Sequence, residues 1–198
     1  MTTFFCMRHG QTDWNQDKRI QGQTDTELND KGREMAHQWG KSLADNHFDC
    51  ILSSGLCRAV QTAEIINEYL GGIPHHIAVG LQEQDWGQWT GKTAAELGEI
   101  RNQVKKQEKR GFEFQPPNGE SRDEVLMRTC DALLEFSEDC PEDSVLVITH
   151  NGVLKCLTYA LSGLEFLPHE KSPIKPYHIH RIECFENELA LGEINMEL

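Results

Sequence analysis

Short apolar segments alternate with helical segments along most of this chain, and this alternation constrains its fold more than any other feature. Residues 2–7 are predicted as a strand, and residues 144–149 contain the continuous apolar run Val145-Leu146-Val147-Ile148. Residues 56–70, by contrast, carry apolar side chains at helical spacing. Such alternation predicts a three-layer α/β/α fold, with a mostly parallel central sheet and helices on both faces.

The predicted boundaries follow from apolar periodicity and from residues that begin or end helices. Asn29 is predicted as an N-cap, and Ser121-Arg122-Asp123-Glu124 has the form of a capping box. Glu186-Asn187 predicts a tight turn between two late strands. The predicted strands cover 2–7, 49–53, 77–79, 144–149, 177–184 and 188–194, and the predicted helices cover 30–45, 56–70, 94–109, 121–140 and 152–162.

The chain has 198 residues, which is long enough for one well-buried core. Neither an internal repeat nor a low-complexity tract marks a domain boundary. We therefore expect a single domain over residues 1–198. Within it, residues 80–120 are irregular in part and rich in Gly, Trp and Pro, so they are predicted as an insertion or lid.

The net charge of −13 argues against partners that require a basic face, namely nucleic acid and anionic membranes. No apolar run approaches the roughly 18 residues needed to cross a bilayer, and the N-terminus does not resemble a signal peptide. The seven cysteines are scattered and odd in number, which favours buried free thiols and a reducing cytoplasm. We expect a cytoplasmic protein in which any phosphate pocket is a local positive site.

Three predicted strand ends carry polar groups suited to binding an anion. Arg8-His9-Gly10 follows the first strand, Arg58 starts the helix after the second, and His150-Asn151-Gly152 follows the strand that ends at Thr149. Because the carboxyl ends of parallel strands meet at one edge of a sheet, we expect these groups to converge. Two arginines, two histidines and helix N-terminal amides would together form a strong anion site.

These residue types fit phosphoryl transfer. A neutral imidazole is a good nucleophile toward phosphorus, and an ordinary pKa of about 6.5 keeps it available at neutral pH. Arginines and a second histidine can neutralise charge on phosphoryl oxygens. A leaving alkoxide also needs a proton, so a carboxylic acid must lie nearby. Glu83 is the best candidate for that acid, and Asp85 is the second.

Six short blocks reinforce this interpretation when they are taken in order. They are Met7-Arg8-His9-Gly10-Gln11-Thr12 with Asn15; Thr24-Asp25-Thr26-Glu27-Leu28 with Gly32; Ser53-Ser54 with Leu56, Arg58, Ala59 and Gln61-Thr62-Ala63; Leu81, Glu83, Gly87, Trp89 and Gly91; Gly119-Glu120-Ser121; and Thr149-His150-Asn151-Gly152. Together they resemble the histidine phosphatase superfamily, in its phosphoglycerate-mutase-like branch. Any one block is weak, but all six in this order are highly specific.

The resemblance implies a metal-independent phosphatase that acts on a small phosphorylated metabolite, without a cofactor, through a phosphohistidine. His9 would be the nucleophile, and Glu83 would be the general acid and then the base that activates water. Arg8, Arg58 and His150 would complete the catalytic phosphate pocket. The further substrate-binding residues would be Asn15, Gln21, Gly22, Asn151 and Gly152. A homodimer is compatible with the sequence.

Two other functions stay open. The segment Glu83-Gln84-Asp85-Trp86-Gly87 departs from the Glu-Arg-His-Tyr-Gly stretch of cofactor-dependent mutases, which favours the phosphatase branch, but a phosphoglycerate-mutase-like phosphotransferase remains an alternative. A catalytically silent module that recognises a phosphorylated ligand is another. The basic residues Arg101, Lys105, Lys106, Lys109 and Arg110 could hold a substrate carboxylate, although their helical spacing favours a solvated face.

Other aromatic and histidine residues have two interpretations each. Trp86 and Trp89 either shape the mouth of the site or cover the core. His178 and His180 have a metal-ligand spacing, but no cysteine or carboxylate obviously completes a set, so we predict no metal.

Overall fold

The structure, a computed structural model, describes residues 1–140 and 144–198. Its centre is a six-stranded sheet formed, among the described residues, by β1 (Thr2–Arg8), β2 (Cys50–Ser53), β3 (His75–Ile77), β4 (Ser144–Thr149), β5 (His180–Phe185) and β6 (Glu188–Leu191). The strand order is β3-β2-β4-β1-β5-β6. The first four strands in this order pair in parallel, and β5 and β6 pair antiparallel. The predicted mostly parallel sheet is confirmed.

Helices cover both faces of this sheet. They are α1 (Asp13–Gln16), α2 (Asp30–Leu43), α3 (Cys57–Asn67), α4 (Ala94–Glu99), α5 (Arg101–Glu108), α6 (Arg122–Asp139) and α7 (Asn151–Leu161), with 3-10 turns at Val79–Leu81, Gly87–Trp89 and Gly111–Glu113. Along each central strand, alternate side chains point to opposite faces, so each face carries its own apolar core. Phe4 and Val147 pack toward Leu133 of α6 and Leu157 of α7. On the other face, β-strand residues such as Ile148 pack against α2 and α3. The three predicted layers are therefore present.

The predicted caps and the late turn are also found. The Asn29 side chain accepts a hydrogen bond from Gly32 N at 2.9 Å, and Ser121 with Glu124 forms a reciprocal capping box. Glu186 and Asn187 both have positive φ, at 50° and 62°, as a tight hairpin turn of the primed type requires.

Several local predictions were wrong. The last two strands occupy His180–Phe185 and Glu188–Leu191 rather than 177–184 and 188–194, because β5 begins where His180 pairs with Cys6 of β1 and β6 ends where Leu191 pairs with Ile182. The short helix α1 lies in a region predicted as turns, because four residues carry too little periodicity to detect. The third strand occupies 75–77 rather than 77–79, since β2 ends at Ser53 and a 3-10 turn begins at Val79. The helix predicted over 94–109 breaks at Ile100, whose φ of −106° and ψ of 23° separate α4 from α5.

Within the described ranges, no helix has both the length and the apolar character needed to cross a membrane. Cys6, Cys156 and Cys184 are buried free thiols, as predicted for this part of the cysteine set. Burial raises the pKa of Cys6 to about 12, so this thiol is inert at neutral pH.

Candidate active site

The central strands bring their carboxyl ends to one edge of the sheet. β4 lies between β1 and β2, and Arg8 is in register with Thr149. His9 N donates to Thr149 O at 3.0 Å, and Ser54 N donates to Ile148 O at 3.1 Å, so parallel pairing continues just past the strands. The predicted convergence of these strand ends therefore occurs.

His9 is held with one ring nitrogen facing a backbone carbonyl. Its Nδ1 lies 2.6 Å from Gly10 O, which accepts hydrogen bonds and cannot donate them, so Nδ1 carries the proton. The lone pair is thereby left on Nε2. Burial lowers the pKa of His9 well below its ordinary value, and the nearby charges of Arg8 and Arg58 lower it further. His9 is thus held as a neutral imidazole whose free lone pair lies on Nε2.

Gly10 permits this conformation through a close backbone approach. A Cβ at position 10 would lie 2.6 Å from Gly32 O, so no larger residue fits without moving α2. The Gly10 N–H donates to the Thr62 hydroxyl at 3.0 Å, and that hydroxyl donates to Arg58 O at 2.7 Å. The turn after His9 is therefore fixed to both α2 and α3.

His150 lies beside His9 in the interior. The ring centroids are 5.1 Å apart, and the His150 side chain is fully buried. Its Nε2 is 2.6 Å from the Ser54 hydroxyl, while its Nδ1 has no hydrogen-bond partner in the described part of the chain. Burial, and then the charge of Arg58, lower the pKa of His150 well below the ordinary histidine value.

The two arginines present further unsatisfied donors. Arg58 uses Nη1 to bond Thr24 O and Nη2 to bond Gly22 O, both at 2.8 Å, so it anchors the loop that lines the site. Burial lowers the pKa of Arg58 to about 10, which leaves it charged at neutral pH. Among the described residues, Arg8 Nε and Arg58 Nε are buried without an acceptor. Because an unmatched buried donor costs roughly 1–3 kcal/mol, these atoms indicate a site built for an anion.

Glu83 is placed against the N-terminus of α7. Its Oε2 accepts from Gly152 N at 3.2 Å, and its Oε1 accepts from Gln84 N at 2.9 Å. His150, the N-cap residue of α7, makes no side-chain cap bond, so the carboxylate supplies one. A Cβ on Gly152 would overlap Glu83 Oε1, and glycine at this position is what admits the carboxylate.

A partly buried ion pair anchors the Glu83 loop. Arg128 and Glu120 form a two-pronged contact at 2.7 and 2.9 Å, and Arg128 also donates to Gly80 O and Glu83 O. Glu120 Oε2 in turn accepts from Asp85 N at 3.2 Å. Sequence reasoning missed the role of Arg128, which follows the loop by some forty residues. Glu120, its ion-pair partner, lies in one of the six matched blocks, and this match was the sequence feature that could have indicated the pair.

These groups surround a cavity of about 160 Å³. It is lined by eight of the ten predicted site residues: Arg8, His9, Asn15, Gln21, Gly22, Arg58, Glu83 and Asn151. Arg19, Ile20 and Trp86 also line it. The two remaining predicted residues lie next to it, since His150 contacts the His9 ring and Gly152 contacts Glu83.

Asn15 and Gln21 are fixed by local hydrogen bonds. Asn15 Oδ1 accepts from Thr12 N at 3.1 Å and from the Thr12 hydroxyl at 3.2 Å, which forms the capping box of α1. Gln21 Oε1 accepts from the Thr26 hydroxyl at 2.6 Å. In both side chains the amide oxygen is engaged, which leaves the NH2 group for a ligand.

The structure distinguishes between the two interpretations of the remaining aromatic, basic and histidine residues. Trp89 is buried in the core, whereas Trp86 lines the cavity. The basic residues of 101–110 are exposed, and none of them lines this cavity. His180 accepts a hydrogen bond from Asn195 N, and no group of three potential metal ligands occurs within residues 1–140 and 144–198.

Known proteins share this arrangement. The family model of the histidine phosphatase superfamily (branch 1) matches residues 4–197. The uncharacterized phosphatase PhoE of Bacillus subtilis is 34% identical over 163 residues, which are 82% of this chain and 79% of that protein. The probable phosphoglycerate mutase GpmB of Salmonella typhi is 31% identical over 194 residues, with 97% and 90% covered.

A solved mycobacterial glucosyl-3-phosphoglycerate phosphatase in complex with VO3 superposes with a TM-score of 0.86 and 27% identity, over 98% of this chain and 99% of that one. The fold is thus that of the phosphoglycerate-mutase-like phosphatases. Since the family model spans nearly the whole chain, this protein belongs to the histidine phosphatase superfamily.

Proposed function

We propose that this protein hydrolyses small phosphomonoesters through a phosphohistidine on His9, with Glu83 as the proton donor. The observation that carries the proposal is the pairing of a neutral, tautomer-fixed His9 with buried nitrogens of Arg8, Arg58 and His150 that have no hydrogen-bond partner among the described residues. His9 and both arginines line one cavity, and His150 lies beside it against the His9 ring. The names of the relatives support phosphatase chemistry, and the scattered cysteines, odd in number, favour the cytoplasm as its location.

The first half-reaction forms a phosphorus–nitrogen bond. His9 Nε2 attacks the phosphorus atom while the bond from phosphorus to the ester oxygen breaks. Protonated Glu83 gives its proton to that oxygen, so the leaving group departs as an alcohol. Arg8, Arg58 and His150 donate hydrogen bonds to the phosphoryl oxygens as their charge shifts.

The second half-reaction returns the enzyme to its starting state. The Glu83 carboxylate takes a proton from water, and the resulting hydroxide attacks the phosphorus atom. The phosphorus–nitrogen bond breaks, which releases inorganic phosphate and restores the neutral His9. Each proton and electron pair is accounted for without a metal or an organic cofactor, so EDTA should leave turnover unchanged.

The direct test is the His9→Ala variant. It should lose turnover of p-nitrophenyl phosphate and should also lose the acid-labile phosphate label that the wild type acquires from substrate. His47→Ala is a matched control, because the His47 side chain is 86% exposed and lies before β2, away from the carboxyl ends of the strands. A His9→Ala protein that turns over or labels normally would exclude this mechanism.

Product analysis separates hydrolysis from phosphotransfer. With 3-phosphoglycerate as substrate, a phosphatase releases inorganic phosphate, and a mutase yields 2-phosphoglycerate. We expect phosphate release to dominate, since the exposed basic side chains of 101–110 lie away from the cavity that holds His9. Dominant isomerisation would assign the protein to the mutases instead.

A further inference from the structure

The two arginines of the active site are held in different ways. Arg58 donates from Nη1 and Nη2 to two carbonyl oxygens of the loop that lines the site. Arg8, by contrast, makes no side-chain hydrogen bond or ion pair within the described residues, and its Nε is buried without an acceptor. Because Arg8 lines the cavity beside His9, its guanidinium N–H groups are left for the phosphoryl group of a substrate.

An arginine without such bonds needs another contact to fix its position. The long side chain has many rotamers, and holding the guanidinium group in one of them costs conformational entropy. The contact that Arg8 makes is with an aromatic ring, since its Cζ lies 5.5 Å from the centroid of the Tyr177 ring. This distance is within the range of about 6 Å over which the negative face of a ring attracts a cation.

The Tyr177 ring is itself held by packing. Its centroid lies 6.0 Å from that of Trp39, with 32° between the ring planes, and Trp39 is buried on α2. The Tyr177 hydroxyl makes no hydrogen bond within residues 1–140 and 144–198. The ring, rather than the hydroxyl, is therefore the part of this side chain that makes contacts.

The backbone at Tyr177 adopts an uncommon conformation that the C-terminal residues hold in place. Its φ is +56°, in the left-handed region that residues other than glycine rarely adopt. Two residues earlier, Lys175 N donates to Asn195 Oδ1 at 2.5 Å. Two residues later, Ile179 N donates to Met196 O at 3.0 Å, and Met196 N donates back to Ile179 O at the same distance. The segment is thus fixed on both sides of Tyr177.

We propose that Tyr177 positions Arg8 for catalysis, because its ring holds the guanidinium group in a fixed orientation at the cavity that binds the phosphoryl group. This inference rests on the proposed function of the His9 site. Among the described residues, Tyr177 is not one of those that line the cavity. Tyr177 therefore acts through Arg8, as a positioning residue that does not touch the substrate.

The test compares variants of Tyr177 that keep or remove the aromatic ring. Orthovanadate is the probe, because it mimics phosphate, and its Kd is measured by calorimetric titration. Tyr177→Leu should weaken orthovanadate binding roughly 3- to 30-fold, which is the range expected when a contact between a cation and a ring is lost. Tyr177→Phe keeps the ring and should retain the wild-type Kd. An unchanged Kd in Tyr177→Leu would refute the proposal, and so would an equal loss in Tyr177→Phe.

Tyr69→Leu is the matched control for the general effect of losing a ring. Tyr69 is also partly buried, and its ring packs edge to face against His37, with centroids 5.9 Å apart. Within the described ranges it contacts no arginine of the site. Its loss should leave the Kd of orthovanadate unchanged. If Tyr69→Leu weakens binding as much as Tyr177→Leu does, the effect is general and the proposal fails.

A double-mutant cycle tests whether the effect passes through Arg8. Tyr177→Leu is combined with Arg8→Met, which removes the guanidinium group and keeps an unbranched side chain. In this background Tyr177→Leu should change kcat/KM for p-nitrophenyl phosphate by less than about twofold, because the group that the ring positions is absent. An equal loss in both backgrounds would mean that Tyr177 acts on another part of the site, and would overturn the proposal.

The binding measurements keep this inference separate from the catalytic proposal. If the wild type fails to hydrolyse p-nitrophenyl phosphate, the proposed function is wrong, but orthovanadate titration of the wild type and both Tyr177 variants still tests the contact with Arg8. A Kd that rises in Tyr177→Leu and not in Tyr177→Phe supports the positioning role. Equal Kd values in all three proteins would refute it.

Discussion

Replacing Gly152 with alanine should displace Glu83 and leave the fold intact. A Cβ at this position would overlap Glu83 Oε1, and the atom that must yield is the end of a flexible side chain. Gly152 is the second residue of α7, so its backbone is helical and accepts alanine without strain. The alanine side chain should therefore break the hydrogen bond from Gly152 N to Glu83 Oε2, which is 3.2 Å long.

The expected magnitudes differ between stability and activity. Alanine favours a helix over glycine by about 0.5–1 kcal/mol, and a lost hydrogen bond costs about 0.5–1.5 kcal/mol, so the free energy of unfolding should change by about 1 kcal/mol or less. A misplaced general acid, by contrast, costs roughly 10²- to 10⁴-fold in rate when the leaving group needs a proton. A large catalytic loss at nearly constant stability is the expected signature.

The assay compares leaving groups that do and do not need protonation. For Gly152→Ala, kcat/KM should fall strongly with glycerol 3-phosphate, whose alkoxide must be protonated. It should fall far less with p-nitrophenyl phosphate, which releases a stable phenolate. Gly98→Ala is the matched control, since position 98 is also helical and a Cβ there meets nothing within 4 Å. Equal losses on both substrates would refute Glu83 as the acid, and so would normal turnover of glycerol 3-phosphate.

Three further predictions concern the groups that support the site. Both site histidines have lowered pKa values, so as the pH falls below about 6.5 they should protonate in the unfolded chain before they do in the folded one. The free energy of unfolding should then fall with pH, with a limiting slope of about 1.4 kcal/mol per pH unit for each histidine, and ring ¹⁵N shifts that report protonation near pH 6.5 in the folded protein would contradict this. Ser54→Ala should leave His150 Nε2 buried without its 2.6 Å partner and cost about 1–3 kcal/mol in urea unfolding with a reduced kcat; unchanged stability would argue against the bond. Arg128→Met should break the ion pair with Glu120, lower the free energy of unfolding by about 2 kcal/mol or more, and lower kcat because the loop of the proposed proton donor loosens. Arg33→Met, at an exposed ion pair, is the control and should change stability by about 0.5 kcal/mol at most; equal effects of the two variants would reject this account.

The central residues of the site could be predicted because the sequence places them at strand ends. Apolar runs located β1 and β4, and parallel pairing then forced Arg8, His9 and His150 to one edge of the sheet. The residue types then indicated the kind of site, since arginine and histidine together at such an edge are typical of an anion-binding site. The prediction depended on local patterns and one topological rule.

The supporting residues could not be predicted, because their roles exist only after folding. Arg128 lies on α6 with the spacing of any helical residue, and its bonds to Gly80 O and Glu83 O join segments far apart in sequence. The short helix α1 was not predicted for a related reason, because its stability comes from a cap and from tertiary contacts.

Arg58 illustrates why predicting a residue is easier than predicting its bonds. The sequence predicted that Arg58 binds phosphate. In the structure both of its terminal nitrogens donate to the carbonyl oxygens of Gly22 and Thr24, and Nε is the donor without a partner among the described residues. A guanidinium group has five N–H bonds in a fixed plane, so it can fix the loop and still face an anion. A lysine has a single ammonium group and could not reach both carbonyls and the phosphate with that geometry. The requirement for arginine at position 58 therefore comes from the loop as much as from the substrate.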